Sequence, residues 1–188
     1  MRPDAPAATI SPFAAPDFRY TLVTEMNIEN SPALPGRVSS LHLHPAQAGA
    51  PLQDVDTIEV AEAKGIVGEP RYFGRVNRET GAPSKRQVTL IEREQIAEHA
   101  AALQSSIAPG RVRSNIETEG VNLIALVGKE IQIGEAILLL YAPRDPCEKM
   151  DAVCQGLRER MMNHKQGVLA QVVRSGRIRV GDSIRVRG

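Results

Sequence analysis

The chain of 188 residues is long enough to bury one substantial core, and its 42% hydrophobic and 24% charged residues are ordinary globular usage, which excludes wholesale disorder and a coiled coil. A formal charge of +1 gives no bulk attraction to nucleic acid, and 3% aromatics with no Trp exclude a base-stacking platform. No stretch approaches the roughly 20 apolar residues of a membrane span, and no basic start leads into an apolar run, so a cytoplasmic protein with neither membrane nor nucleic-acid partners is expected.

Residues 1–35 form the first segment. Met1 to Pro16 is rich in Pro and Ala without periodicity and reads as an arm. Alternation from Phe18 to Glu29 predicts a strand, either an edge strand or a contact in a homo-oligomer. The main domain is placed at residues 36–188. Within it, short β-rich runs separated by Gly and Pro are predicted at Arg37–Leu43, Val55–Ala63, Arg86–Ile91, Val121–Val127, Ala136–Ala142, Val168–Val173 and Ser183–Val186. This spacing predicts a mostly β fold, a barrel or sandwich. Helical spacing of Ile96, Ala100 and Leu103 predicts a helix over Glu92–Leu103, and a stripe of Cys147, Met150, Cys154, Leu157 and Met161 predicts another over Asp145–Asn163. Both are amphipathic and are expected to pack on the sheet.

Cys147 and Cys154 are separated along such a helix by about 10.5 Å, at 1.5 Å per residue, which exceeds disulfide reach. Without a disulfide framework, a reducing compartment is expected. Asp145, Pro146 and Glu148 have capping-box spacing, so Cys147 is expected in the first helical turn. There, free N–H groups and the dipole favour a thiolate, with Arg144 assisting and Asp145 and Glu148 opposing. A nucleophile, a persulfide carrier and a soft-metal ligand all need that anion, while a small buried residue on the apolar stripe is the plain alternative. Cys154 reads as core.

Four ordered segments then bear a resemblance. They are Lys64-Gly65-Ile66-Val67-Gly68-Glu69-Pro70-Arg71-Tyr72-Phe73-Gly74-Arg75, followed by Arg86-Gln87-Val88-Thr89-Leu90-Ile91; Arg111-Val112-Arg113-Ser114-Asn115-Ile116 with Gly120-Val121-Asn122-Leu123; Pro143-Arg144-Asp145-Pro146-Cys147; and Gly167 to Asp182. Together, from about Gly36 to Arg187, they resemble the MOSC domains, named for the C-terminal part of molybdenum cofactor sulfurase, and especially small stand-alone bacterial members. Two departures stand out. Glu69 occupies the position of the family's usual Asp, and Tyr72-Phe73 replaces a His-bearing continuation.

The resemblance implies a closed or partly closed β-barrel with amphipathic helices packed on it, and Cys147 in a pocket. It implies one of two sulfur-based roles. In one, the Cys147 thiolate ligates the molybdenum of a pterin cofactor, as in relatives that reduce N-hydroxylated compounds, with a redox partner. In the other, Cys147 receives sulfur from a cysteine desulfurase, and pyridoxal phosphate belongs only to that partner enzyme. A non-catalytic interaction module is the third reading. Arg113 and Asn115 in the matching motif form the best candidate cofactor-binding pair, joined by Arg86, Lys64, Arg71 and Arg144; Arg suits a pterin phosphate by its bidentate geometry. Gly65, Gly68, Gly120 and Gly181 are expected in turns. His42 and His44 share a strand face without a third ligand at a zinc interval, so surface or hydrogen-bonded roles are expected for them.

Overall fold

The computed structural model describes residues 36–187; the arm and the predicted Phe18–Glu29 strand lie outside them. The chain runs β1 (Arg37–Leu43), β2 (Gln53–Val55), β3 (Thr57–Ala61), β4 (Gly65–Ile66), β5 (Val88–Glu92), α1 (Arg93–Ala102), β6 (Ile116–Glu119), β7 (Glu130–Ile133), β8 (Ala136–Pro143), α2 (Leu157–Arg160), β9 (Val168–Arg174), β10 (Gly176–Arg179) and β11 (Ile184–Val186). Eight strands form one sheet in the order β11-β7-β8-β9-β5-β6-β1-β2, while β10-β3-β4 form a smaller one. Every paired neighbour is antiparallel except β5 and β6, which α1 connects as a crossover.

The large sheet curls into a partly closed barrel. The Val38 amide donates to Asp182 O at 3.0 Å and the Ile184 amide to Gly36 O at 2.6 Å, so the chain entering β11 meets the start of β1. Aliphatic side chains fill the interior, among them Leu41, Leu90, Ile116, Ile131, Leu138 and Leu140, with no aromatic in the cluster. All five residues of β5 are buried because barrel interior lies on one face and α1 on the other. A second core under α1 joins Ile91, Ile96, Ile107 and Val112 to Met150, Leu157 and Met161.

Two predicted elements are corrected. Val121–Val127 is not a strand: Asn122 Oδ1 accepts the Ala125 amide at 3.0 Å and the chain turns into a 3-10 segment at Ile124–Leu126. Its apolar residues still pack on the barrel core. Asp145–Asn163 is not a continuous helix either. A 3-10 turn at Glu148–Met150 is followed by Gly156, whose φ of 83° interrupts the helical path before the single turn of α2. The apolar stripe predicted the buried face correctly at Met150, Leu157 and Met161 without requiring a regular helix. Strands β4, β6, β7 and β10 were not anticipated, nor was β2 apart from Val55 at its end. β6 carries the polar sequence Ile-Glu-Thr-Glu and escapes a hydrophobic pattern because Glu117 is buried against Arg93, 2.9 Å from it.

The four glycines expected in turns all have positive φ. Gly167 is more constrained: at φ 74°, an added Cβ would collide with the Leu90 carbonyl and the Ile91 backbone. This close approach lets the Gly167 carbonyl receive the Arg144 amide at 2.9 Å. Among the described residues no helix is long and apolar enough to cross a membrane.

Candidate functional site

The end of β8 delivers Arg144 inward and Cys147 outward. Arg144 is only 7% exposed. Its Nη1 donates to Ser114 Oγ at 2.9 Å and its Nη2 to the Arg113 carbonyl at 3.2 Å, yet no carboxylate pairs with it among the described residues. Burial lowers its pKa well below the ordinary guanidinium range, to about 10. Nearby Arg86 and Arg113 push the same way, whereas Cys147 and Tyr72 oppose them. The cluster is therefore a desolvated guanidinium, flanked by two more, beside a thiol and a phenol.

Cys147 is exposed, in extended conformation at φ −112° and ψ 170°, immediately before the 3-10 turn. The expected capped helix start is absent, because a three-residue turn aligns too few peptide dipoles to act on the sulfur. Arg144 supplies the neighbouring positive charge instead. Cys154 is partly buried against the second core.

Arg113 and Asn115 are placed together but used differently. Arg113 sits at φ 61°, a strained position for a residue with a side chain, and sends Nη1 to Ala50 O at 2.9 Å. The Asn115 side chain is committed inside the protein. Its Oδ1 accepts from the Thr89 amide and hydroxyl, and its Nδ2 donates to His42 O and to Glu69 Oε1. Arg86 is exposed near Arg144, Arg71 lies over the Tyr72 ring with its Cζ 5.5 Å from the centroid, and Lys64 is exposed on the turn between β3 and β4.

Sequence reasoning missed the partner of Glu69. The carboxylate is 1% exposed, and its Oε1 accepts the His44 amide at 2.8 Å, the His44 Nδ1–H at 2.8 Å and the Asn115 amide at 2.7 Å. Its Oε2 has no partner and borders a pocket of about 10 Å³, room for no more than one water, shared with Tyr72 and Arg86. The His lacking after Glu69 in sequence is thus matched by one from the chain just beyond β1. The two stand 25 positions apart, an interval with no periodic signal.

His42 forms a chain of different character. Its Nδ1–H donates to Asp54 Oδ1 at 2.8 Å and its Nε2 lies 2.9 Å from Ser40 Oγ. The spacing is that of a Ser–His–Asp triad with the exposure reversed: Asp54 is 81% exposed, His42 1%, and Ser40 lines none of the clefts described here. A nucleophile must reach its substrate, so this chain orients Asp54 rather than activating Ser40.

Two larger clefts flank the cluster. One, of about 490 Å³, has Arg111, Arg113 and Lys149 facing Asp54 between apolar walls that include Leu52 and Val153. The other, of about 630 Å³, is an open cleft lined by the hairpin of residues 75–84 together with Lys85, Arg86 and Tyr141. Lys149 is two residues beyond Cys147, and Arg86 and Arg113, which border one cleft each, both act on Arg144, so both clefts adjoin the sulfur-bearing segment. No group of three or more metal-ligating His, Cys, Asp or Glu occurs among the described residues.

A family model described as "MOSC domain" matches residues 58–185. Among solved structures, the YuaD protein from Bacillus subtilis is similar with a TM-score of 0.68 at 19% identity, covering 81% of this chain and 96% of its own. YiiM from Geobacillus stearothermophilus gives 0.63 at 16%, covering 82% and 76%, and YiiM from Escherichia coli 0.57 at 19%, covering 81% and 70%. These likenesses are of fold. No curated protein matches the sequence.

Proposed function

The chain belongs to the MOSC domain family, and from that premise we propose that it binds a molybdenum–pterin cofactor with the Cys147 thiolate as its ligand to the metal. The observation that carries this reading is Arg144, a buried guanidinium without a carboxylate partner among the described residues and pressed by Arg86 and Arg113. Such a group favours an arriving anion, because the cost of desolvating the cation has already been met in the fold.

The donor set fits the cofactor's chemistry. Arg111, Arg113 and Lys149 offer cations to a phosphate, and Asp54, held by His42, offers a fixed acceptor to the N–H edge of a pterin. The exposed Cys147 sulfur is a soft ligand. When bound, the group supplies two-electron redox chemistry at a thiolate-ligated metal, as reduction of an N-hydroxylated compound requires. The chain's own contribution is placement. Arg144 ties the Cys147 segment to Ser114 and Arg113, and Asn115 locks β5, the end of β1 and Glu69 to one another beneath it.

The test is to purify wild-type and Cys147→Ser protein from a host that makes the cofactor and to quantify molybdenum and pterin. Wild type carries both and the variant loses the metal. Wild type with neither, even after reconstitution, overturns the reading.

The exposure of Cys147 favours a second reading, a sulfur carrier. The thiolate attacks the outer sulfur of a persulfide on a cysteine desulfurase, that S–S bond breaks, and the partner's thiolate leaves. Mass spectrometry would then find one added sulfur on Cys147. Transfer that survives Cys147→Ser refutes it. This reading stands second because an exposed sulfur alone does not call for the buried Arg144 or the two cationic clefts.

A further inference from the structure

The cleft lined by the 75–84 hairpin is not needed to hold a pterin, and its chemistry is specific. Arg75, Arg78, Lys85 and Arg86 face a single acid, Glu79. None of these four cations makes an ion pair with a carboxylate among the described residues. The rest of the lining is mixed, with Asn77, Thr80, Ser84 and the phenol of Tyr141 among Val76, Ala82 and Pro83. Burial pushes the Tyr141 phenol up, so at neutral pH it is a donor.

The hairpin is held by its own hydrogen bonds. Asn77 Oδ1 accepts the Glu79 and Thr80 amides at 2.8 and 3.2 Å, the Asn77 amide donates to Ala82 O at 2.8 Å, and the Ser84 amide donates to Arg75 O at 2.8 Å. At the base, Arg86 borders both this cleft and the small Glu69 pocket and presses on Arg144. Like charges held side by side without a carboxylate favour a bound anion.

We propose that this cleft is the substrate pocket and that it selects a small phosphate-bearing molecule, whose phosphate engages Arg78 and Lys85 and whose polar body lies along Arg86 and Tyr141 toward Cys147. A dianionic phosphate answers the excess of three positive charges in the lining, and about 630 Å³ accommodates a molecule of nucleotide size. A concave cluster of cations on one hairpin suits a small anionic solute better than a lipid or a flat protein face. The assignment rests on the cofactor reading for its place beside the reaction centre, but its binding test does not.

The experiment is calorimetric titration of the purified wild-type chain with AMP, with adenosine as the uncharged counterpart, at low and moderate salt. The same titrations follow on Arg78→Gln/Lys85→Gln and on Arg78→Lys. Wild type binds AMP saturably and more weakly as salt rises, and adenosine fails to bind. The double variant loses about tenfold in affinity with an unchanged melting temperature, while Arg78→Lys retains most of it. Equal AMP affinity in the double variant, adenosine binding as well as AMP, or no saturable AMP binding at all overturns the proposal. Molybdenum and pterin contents of the same preparations report on the cofactor reading separately.

Discussion

Replacing Arg144 with Met removes the charge while keeping an unbranched chain of similar reach. The fall of its pKa from the ordinary guanidinium range to about 10 corresponds to roughly 3 kcal/mol of penalty for holding the cation in the fold, at about 1.36 kcal/mol per pKa unit. Against that, Arg144→Met forfeits the hydrogen bonds to Ser114 Oγ and the Arg113 carbonyl, together worth about 3 kcal/mol at roughly 1.5 each for a charged donor. The two offset, so in anion-free buffer the variant's unfolding free energy stays within about 1 kcal/mol of wild type. The difference emerges on adding phosphate or molybdate. At a hundredfold excess over Kd, wild type gains about 2.7 kcal/mol, a rise in Tm of roughly 5–10 °C for a domain of this size. Arg144→Met gains less, because only the other cationic clefts remain to hold the anion. Thermal unfolding of both proteins with and without each anion decides it. A loss above about 3 kcal/mol without anion would show that Arg144 is purely structural, and an equal anion-induced rise in the variant would place the anion elsewhere.

Gly167→Ala should cost at least about 3 kcal/mol, because the new methyl falls on the Leu90 carbonyl at a backbone angle disfavoured for Ala; a urea midpoint close to wild type contradicts this. Glu69→Ala strands the His44 amide, the His44 ring N–H and one Asn115 donor in a closed interior, a loss of about 3 kcal/mol or more by denaturant titration, whereas Glu69→Gln retains Oε1 and loses less. A smaller loss in Glu69→Ala than in Glu69→Gln refutes that account. Burial holds His99 below its ordinary pKa, with Nε2 2.8 Å from Lys165 O. Because the folded state prefers neutral His99, its contribution is complete above the unfolded value of 6.5 and is lost as pH falls from there through the lower folded value. In His99→Gln, stability should therefore decline less than wild type below pH 6.5; parallel pH profiles exclude the assignment.

The parts legible in the sequence were those that local chemistry repeats. β1 was placed at its observed bounds by apolar residues between turn signals, α1 by Ile96, Ala100 and Leu103, and the second core by the Met150, Leu157 and Met161 stripe. The misplaced parts share a cause: one side chain or one backbone angle outweighed the pattern. Asn122 captured an amide and turned an apolar run into a 3-10 segment, and Gly156 broke a helix whose buried face was otherwise correctly read. Both effects act through a single residue, so windowed periodicity does not register them.

The site divides along the same line. Its charged members were visible because Arg86, Arg113, Arg144 and Cys147 lie in motifs, and the fold brings them to one place. What the motifs did not reveal is how their functions separate. Asn115, paired with Arg113 in sequence, spends its side chain on Thr89, His42 and Glu69, so its role is to fix the frame from which Arg113 and Arg144 project. Cys147, expected to draw its reactivity from a helix end, has no helix and has Arg144 beside it. The source of the sulfur's electrostatic environment thus moves from backbone to side chain, with a testable consequence. A dipole would survive substitution of Arg144. If a cationic side chain supplies the field, Arg144→Met should slow alkylation of Cys147 by the anionic iodoacetate relative to neutral iodoacetamide while leaving its exposure unchanged, and Arg144→Lys should recover part of the rate. Equal alkylation rates in wild type and Arg144→Met would remove Arg144 from the chemistry of Cys147.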